Sequence, residues 1–479
     1  MSGQLADLVK AYDVRGIVGS QLNAETTYAL GAAFAQVIAI PERAGRVVVG
    51  HDMRPSSPVL ADAFAAGVTA HGVGVDLIGL CSTDGLYYAS GALNAPGAMF
   101  TASHNPADYN GIKVCRAGAR PVSIDTGLGR IRTVAEDYLD HPTAQRTSTG
   151  STAVLDLLDS YAAFLRRLVD LSRIRPLTVV IDAGNGMSGL TAPAVFGAIP
   201  GLSAAPIRIV PLYFELDGTF PNHPANPLDP ANLLDLQAAV VRENADLGLA
   251  FDGDADRCFV IDERGVPVSP SAVTALIAAR HVARETASGT RADQVHVVHN
   301  LICSRAVPEL ITRLGACPVR TRVGHSFIKA EMARRDAVFG GEHSGHYYFR
   351  DFWFADTGML AALHVMAALG SQPDPLSRLV QQYSPYAGSG EMNSRVSNAE
   401  EATERIRSWA DEIPGVTQDD LDGLTLRHDA PPMWWLNVRS SNTEPLLRLN
   451  VEACDQATMR RMRDAALDLI RQGAPVPSA

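Results

Sequence analysis

Four short polar segments carry the residue types that could perform chemistry, and they lie at residues 101–106, 252–257, 341–346 and 439–443. The first offers hydroxyls and an imidazole, and the second offers alternating carboxylates. The third places a carboxylate, a hydroxyl and imidazoles between glycines, and the fourth has a guanidinium, hydroxyls and an amide. A nucleophile, a metal cradle, a sugar-type loop and an anion loop together predict phosphoryl transfer on a phosphorylated sugar.

Ser103 is the candidate nucleophile of the first segment. It follows an apolar run and precedes the Asn105-Pro106 turn. A phosphoryl group on this serine would add charge and strong acceptors, so it would need cations nearby. His104 is placed to hydrogen-bond the hydroxyl. The alternative is a serine that only starts a turn.

Asp252, Asp254 and Asp256 form the candidate metal cradle. Alternating carboxylates on an extended loop converge on one point, which suits a hard divalent ion such as Mg²⁺. A calcium loop is one alternative because Glu263 stands at the twelfth position, but Arg257 occupies the position where that loop needs glycine. A solvated acidic turn is another, although apolar runs on both sides predict burial, which is costly without a cation.

The third segment is the candidate sugar-binding loop. Glu342, Ser344 and His346 supply acceptors and donors suited to sugar hydroxyls, and a metal site is the alternative for the histidines.

The fourth segment is the candidate anion loop. An arginine gives bidentate phosphate recognition and a turn exposes backbone N–H groups, while a plain polar turn is the alternative. Its candidate residues are Arg439, Ser441, Asn442 and Thr443.

A threefold pattern predicts how these segments are positioned. A β-rich run that ends in a polar turn occurs at residues 46–52, 177–184 and 295–300. Each is followed later by an apolar strand and one of the first three polar segments. Because ligand loops of α/β folds lie beyond the carboxyl ends of strands, three similar units would hold these loops in equivalent places.

Polar and Pro-containing stretches suggest the unit boundaries, and the last part reads as a smaller α+β unit. The predicted domains are 1–150 with the nucleophile loop, 151–266 with the metal loop, 267–370 with the sugar loop and 371–479 with the phosphate loop.

Composition limits the classes of partner. The chain has 479 residues, which suggests about three domains by length. A net charge of -11 argues against a nucleic-acid surface. Six scattered cysteines suit a reducing cytoplasm, and no stretch approaches a membrane span. We therefore expect a cytoplasmic protein with neither nucleic-acid nor membrane partners.

Together, the four motifs in this order resemble the α-D-phosphohexomutase superfamily, and most closely its phosphomannomutase/phosphoglucomutase branch. Segments 12–16, 109–113 and 321–325 are also similar to segments of that family. The resemblance covers nearly the whole chain. It implies an α/β fold in which three similar α/β domains with mixed sheets are followed by a smaller α+β C-terminal domain around a central cleft.

The resemblance also implies roles for the residues. Ser103 would be the phosphoserine and would join the three aspartates on Mg²⁺, and Arg257 would bind the transferring phosphoryl group. Arg15 and Lys113 would flank the phosphoserine. The remaining implied roles are sugar binding by Glu342, Ser344 and His346, binding of the non-transferred phosphate by the fourth loop, and acid/base catalysis by His325, whose ordinary pKa lies near neutrality.

The implied activity is the interconversion of hexose 6-phosphate and hexose 1-phosphate, with hexose 1,6-bisphosphate as activator. Mannose is the expected hexose, with glucose as a second substrate, and the protein is expected to be a monomer or homodimer. His343 matches neither the Met frequent in bacterial members nor the Gln of phosphoglucosamine mutases, so glucosamine stays open. Ile302 stands where many relatives have a substrate-contacting Lys, and Ala255 replaces a usual Gly.

Two other functions stay open from the residues alone. One is a metal-dependent sugar phosphatase, in which water replaces the sugar hydroxyl. The other is a non-catalytic phosphosugar-binding protein, in which Ser103 would never be phosphorylated.

Overall fold

The structure is a computed structural model that describes residues 5–141, 150–440 and 446–472. These residues form four β-sheets with helices packed against them. None of the helices in the described ranges is long and apolar enough to cross a membrane.

The first sheet is mixed and has the strand order β1-β5-β4-β2-β3-β7, with β6 paired to β5. Its central strand β2 is buried on both faces, as expected for a run of valines inside a layered α/β unit. The strands are β1 Val14–Ile17, β2 Arg46–His51, β3 Gly74–Leu80, β4 Gly97–Phe100, β5 Tyr109–Arg116, β6 Arg120–Pro121 and β7 Thr152–Val154. The helices are α1 Ala24–Phe34, α2 Ser57–Thr69, α3 Thr83–Leu93 and α4 Gly129–Asp140.

The second sheet has the order β12-β11-β10-β8-β9. Its strands are β8 Leu177–Asp182, β9 Ile207–Leu212, β10 Leu247–Phe251, β11 Cys258–Asp262 and β12 Pro267–Val268, and its helices are α5 Leu158–Leu168, α6 Ser188–Phe196 and α7 Leu234–Arg242.

The third sheet has the order β14-β13-β15-β16-β17. Its strands are β13 His296–Asn300, β14 Cys317–Thr321, β15 Phe339–Gly341, β16 Tyr347–Phe349 and β17 Ala355–Asp356, and its helices are α8 Pro270–Ala287, α9 Ala306–Arg313, α10 His325–Arg335 and α11 Gly358–Gly370.

The fourth sheet is antiparallel throughout, in the order β18-β22-β21-β20-β19. Two amphipathic helices pack on it, and α13 buries Ala402, Ile406 and Ala410 at helical spacing. Its strands are β18 Ala387–Arg395, β19 Val416–Asp419, β20 Leu424–His428, β21 Trp434–Ser440 and β22 Leu446–Ala453; the helices that complete the chain are α12 Leu376–Gln381, α13 Ala399–Asp411 and α14 Gln456–Arg471.

The predicted fold class is confirmed by the pairing of the first three sheets. In each, a central strand lies parallel to its two neighbours, and the second neighbour turns back into an antiparallel strand. The strand before that turn is β4, β10 or β15, and the first three polar segments follow these strands directly. The three loops therefore occupy equivalent positions at the carboxyl ends of equivalent strands.

The sheets also bear on where one domain ends and the next begins. Strand β7 pairs with the first sheet and strand β12 with the second, although each lies just beyond the predicted boundary of that unit. The hydrophobic core of the first unit is largely its own, and the fourth unit has a separate core. The second and third units share one large cluster, which includes residues of α5, α8 and α11.

Candidate active site

Ser103 joins the first loop to the second. Its residue has a positive φ of 51°, and its backbone N–H donates to Thr101 Oγ1 at 2.9 Å. The hydroxyl donates to Asp252 Oδ2 at 2.7 Å and accepts from Arg257 Nη2 at 3.1 Å. His104 Nδ1 lies 3.3 Å from the same oxygen and contacts the Arg257 guanidinium. The predicted nucleophile is thus held between a carboxylate, a guanidinium and an imidazole.

The backbone of this loop is held by Arg54, a residue that the sequence analysis missed. Arg54 is 1% exposed and pairs with Asp52 at 3.2 Å. Its terminal nitrogens donate to four backbone carbonyl oxygens, those of Ser103 at 2.9 Å, Asn105 at 2.7 Å, Pro106 at 2.7 Å and Tyr109 at 2.9 Å. A signal was present, because Arg54 stands two positions after the polar turn that ends β2.

The three aspartates of the second loop form one cluster. All are fully buried or nearly so, and one oxygen of each lies within 4.8 Å of the others. Lys113 Nζ pairs with Asp254 Oδ2 at 2.7 Å and with Asp256 Oδ2 at 2.5 Å. The Oδ1 atoms of Asp254 and Asp256 have no hydrogen-bond partner although they are buried. Unpartnered carboxylate oxygens facing one another fit a hard divalent cation, so the donor set suits Mg²⁺.

The electrostatics of the cluster agree with this fit. Burial raises the pKa of Asp252 to about 8, and the charges of Asp254 and Asp256 act in the same direction against that of Arg257. Burial also opposes ionisation of Asp256, but the Lys113 ammonium outweighs it and lowers the pKa of Asp256 to about 2. A cation bound to Asp252 would favour its ionised form for the same Coulombic reason.

The third loop lies against the second. Glu342 is 2% exposed, accepts from Asn300 Nδ2 at 3.1 Å and also accepts from the Tyr348 hydroxyl. Ser344 Oγ lies 2.9 Å from His346 Nδ1. The other ring nitrogen, His346 Nε2, lies 3.6 Å from Asp256 Oδ1. The predicted sugar-binding residues are therefore beside the carboxylate cluster.

His343 points out of this loop, because its Nδ1 lies 3.0 Å from Ser271 Oγ at the start of α8. The buried side chain of Ile302 follows β13.

The two remaining side chains of the predicted catalytic set approach from the first and third units. Arg15 pairs with Asp13 at 2.8 Å and contacts Asn105 in the serine loop. His325 is the first residue of α10, and its ring meets the Tyr12 ring edge-on with centroids 4.9 Å apart. Burial, together with the Lys329 ammonium, lowers the pKa of His325 to about 4. Its imidazole is therefore neutral at neutral pH and suited to accept a proton.

The fourth loop is described only at its start. Arg439 is 7% exposed and donates to Glu391 Oε2 at 2.7 Å, so its guanidinium is already paired. Within the described ranges no hydrogen bond or ion pair joins it to the other candidate residues. The candidates Ser441, Asn442 and Thr443 lie outside the described residues.

Family models match the chain in four consecutive pieces. They are described as phosphoglucomutase/phosphomannomutase alpha/beta/alpha domain I at residues 6–137, domain II at 159–265, domain III at 270–386 and the C-terminal domain at 391–469. The chain belongs to the phosphoglucomutase/phosphomannomutase family. The resemblance read from the motifs is thereby confirmed.

Relatives of this family match over nearly their whole length. A phosphomannomutase of Salmonella typhimurium is 36% identical over 461 residues, which cover 96% of this chain and 97% of that protein. A protein named phosphohexose mutases from Xanthomonas campestris is 39% identical over 471 residues, with 97% and 99% covered.

Solved structures of the family share the fold. A phosphoglucomutase/phosphomannomutase family protein from Burkholderia thailandensis has a TM-score of 0.84 at 29% identity, with 100% of both chains covered. A phosphomannomutase from Thermus thermophilus has a TM-score of 0.77 at 26% identity, with 96% of this chain and 98% of the other covered.

Two further buried groups at the family's catalytic loops were not found from the sequence. Thr83, the first residue of α3, donates to Asp254 Oδ2 at 2.6 Å. Lys329 and Asp356 form an ion pair of 2.6 Å with side chains 3% and 1% exposed. Both sit on elements distant in sequence from the motifs they support, and neither belongs to a polar cluster, so the sequence gave no local signal for them.

Proposed function

We propose that the chain interconverts hexose 6-phosphate and hexose 1-phosphate through a phosphoserine at Ser103 and a hexose 1,6-bisphosphate intermediate. The reaction class follows from the family, so the protein is an isomerase of carbohydrate metabolism. The observation that carries the chemistry is the contact of 2.7 Å between Ser103 Oγ and a carboxylate of a buried cluster of three. A guanidinium donates to the same oxygen at 3.1 Å.

The metal of the proposal is Mg²⁺, held by Asp252, Asp254, Asp256 and an oxygen of phosphorylated Ser103. Support comes from the unpartnered Oδ1 atoms of Asp254 and Asp256. When bound, the ion would neutralise charge on the transferring phosphoryl group.

In the first step, a free sugar hydroxyl attacks phosphorylated Ser103. His325, neutral because its pKa is depressed, accepts the hydroxyl proton as the new oxygen–phosphorus bond forms. The bond from phosphorus to Ser103 Oγ breaks, and Arg257 stabilises the charge that develops on that oxygen. Arg15 and Lys113 add positive charge beside the phosphoryl group, and the second half of the reaction reverses these steps with the other phosphate.

Recognition of the sugar is assigned to the third loop and of the distal phosphate to the fourth. Glu342, Ser344 and His346 would bind the sugar hydroxyls beside the carboxylate cluster. Arg439, with Ser441, Asn442 and Thr443, would clamp the distal phosphate, which would replace Glu391 as the partner of the arginine. Mannose is the proposed hexose, with glucose as a second substrate, and hexose 1,6-bisphosphate is the proposed activator.

Phosphorus NMR tests the proposal. The protein would be incubated with Mg²⁺, trace hexose 1,6-bisphosphate and, in parallel, the 1-phosphates of mannose, glucose and glucosamine. We expect conversion to the 6-phosphate without free phosphate, fastest for mannose. Release of inorganic phosphate would instead identify a phosphatase, and an absence of any reaction would favour a binding protein.

Ser103→Ala provides the residue-level test. We expect this variant to lose activity by at least about a thousandfold because it cannot carry the phosphoryl group. Ser389→Ala is the matched control, since Ser389 is an exposed serine on β18. Retention of wild-type activity by Ser103→Ala would refute the phosphoserine mechanism.

A further inference from the structure

A cavity of about 510 Å³ lies between α8, α11 and the segment that follows α5. Its polar lining includes Arg280, His281, Arg284 and His364, and the exposed carboxylate of Asp170 also borders it. None of these residues belongs to the four loops of the active site. The volume falls within the range of pockets that bind small metabolites.

Two buried imidazoles face this cavity without hydrogen-bond partners. His281 is 2% exposed and neither of its ring nitrogens has a partner, while His364 is 7% exposed and its Nδ1 has none. Their ring centroids are 4.8 Å apart, and aromatic rings pack on them from the other side. Burial keeps both rings neutral by lowering their pKa values, for His281 to about 3. Each neutral ring still carries one N–H donor, and a buried donor without an acceptor is costly.

The cavity also has a surplus of positive charge. Arg284 is paired with Asp351 at 2.6 Å and with Glu285 at 3.1 Å. Arg280 differs, because no carboxylate of the described residues lies within ion-pair distance of it and its Nε is buried without a partner. Two N–H donors beside an unpaired guanidinium repel a metal cation and attract an oxyanion.

We propose that this cavity is a second anion site that binds a phosphate group, as inorganic phosphate or as part of a small phosphorylated metabolite. Arg280 supplies the charge, and His281 and His364 each donate one N–H to the phosphate oxygens. The inference does not depend on the proposed function of the active site.

The position of the cavity separates it from the catalytic phosphates. Ser271 contacts the sugar loop through His343, and His281 lies ten residues further along the same helix α8. At the rise of an α-helix this separation is about 15 Å. The cavity is also bordered by Asp170 from the piece that matches domain II and by α8 and α11 from the piece that matches domain III. A bound phosphate would therefore tie these two domains together and stabilise the folded protein.

The test is a titration of the full chain, labelled with ¹³C in the histidine rings, with inorganic phosphate and separately with glycerol 3-phosphate. His281→Gln and His364→Gln assign the two ring signals. We expect both signals to move saturably and the melting temperature to rise. Signals of His104 and His325 report binding in the active site separately, so the two sites are distinguished in one spectrum.

Arg280→Gln is the decisive variant, and Arg291→Gln is its control because Arg291 is 74% exposed on the same unit. We expect Arg280→Gln to weaken phosphate binding at least about tenfold and the control to bind as wild type. A larger response to inorganic phosphate identifies the free ion as ligand, and a larger response to the ester identifies a metabolite. Unmoved His281 and His364 signals at about 50 mM phosphate, which would nearly fill a millimolar site, would overturn the proposal.

Equal binding by wild type and Arg280→Gln would also overturn it. If Arg280→Gln does not fold, Arg280→Lys keeps the charge and removes the guanidinium, and the same comparison is made with that variant.

Discussion

At the scale of single residues, the catalytic loop depends on a side chain outside the motif. Ser103 has a left-handed backbone conformation that costs energy for a residue other than glycine. Arg54 binds the carbonyl oxygens of Ser103 and three neighbours and so holds the loop in this conformation. The direction of the nucleophile is therefore set from beneath by a buried guanidinium.

We predict that Arg54→Lys lowers kcat/KM by about a hundredfold while the fold is kept. A lysine retains the charge beside Asp52 but cannot donate to four carbonyl groups, so the Ser103 loop loses its fixed geometry. Steady-state kinetics and circular dichroism would measure the two effects. Arg120→Lys, at a side chain 62% exposed, is the control, and equal kinetics of the two variants would refute a positioning role.

The metal assignment also belongs to this scale. We predict that Asp254→Asn weakens Mg²⁺ binding at least about tenfold, because a neutral amide replaces one of three charged ligands. Calorimetric titration would measure the affinity. Asp235→Asn, which removes a carboxylate from α7 outside the cluster, should bind Mg²⁺ as wild type does. An unchanged affinity in Asp254→Asn would place the metal elsewhere.

At the scale of elements, three equivalent strand ends bring distant loops together. The pairing of β4, β10 and β15 repeats in the first three sheets, as the threefold sequence pattern predicted. Helix α11 then packs its first residue against the metal loop. A Cβ added to Gly358 would lie 2.7 Å from the backbone C and O atoms of Arg257, so this contact requires glycine.

We predict that Gly358→Ala lowers both stability and activity. The added methyl must push α11 away from the backbone of the metal loop, at a cost of about 1–3 kcal/mol. Urea unfolding and kcat/KM would show the change. Gly45→Ala is the control, since nothing lies within 4 Å of its Cβ, and wild-type behaviour of Gly358→Ala would contradict the packing argument.

At the scale of the whole molecule, Asp84 joins three units. It is fully buried and accepts hydrogen bonds from Ser82 in its own unit, from Tyr161 Oη at 2.7 Å and from Thr357 Oγ1 at 2.6 Å. Tyr161 lies in α5, and Thr357 is the N-cap of α11. Burial raises the pKa of Asp84 from 3.8 to about 6 despite these donors.

This shift predicts a pH dependence of stability. Because the folded pKa of Asp84 is raised, its contribution is fully present below about pH 3.8 and is lost as the pH rises through about 6. The loss is about 3 kcal/mol, since one pKa unit corresponds to about 1.4 kcal/mol. We expect the stability of wild type relative to Asp84→Asn to fall over this range in urea unfolding. Parallel curves for the two proteins would contradict the prediction.

The sequence by itself determined the fold class and most of the site. The strand-then-polar-loop pattern predicted three α/β units and an α+β unit, and the structure confirms these. Ser103, the three aspartates, Glu342 and His346 were found because each lies in a contiguous motif, where residue type and spacing are visible locally. The exact domain boundaries and the roles of the site residues stay predictions.

Only the tertiary structure decided which residues support those motifs. Arg54, Thr83 and Asp84 lie far along the chain from the side chains they hold, and Lys329 finds its partner Asp356 only after folding. It also decided that His343 points toward α8 and that His281 and His364 share a cavity. The physical reason is that these contacts depend on burial and on how separate sheets pack, which no local spacing of residues encodes.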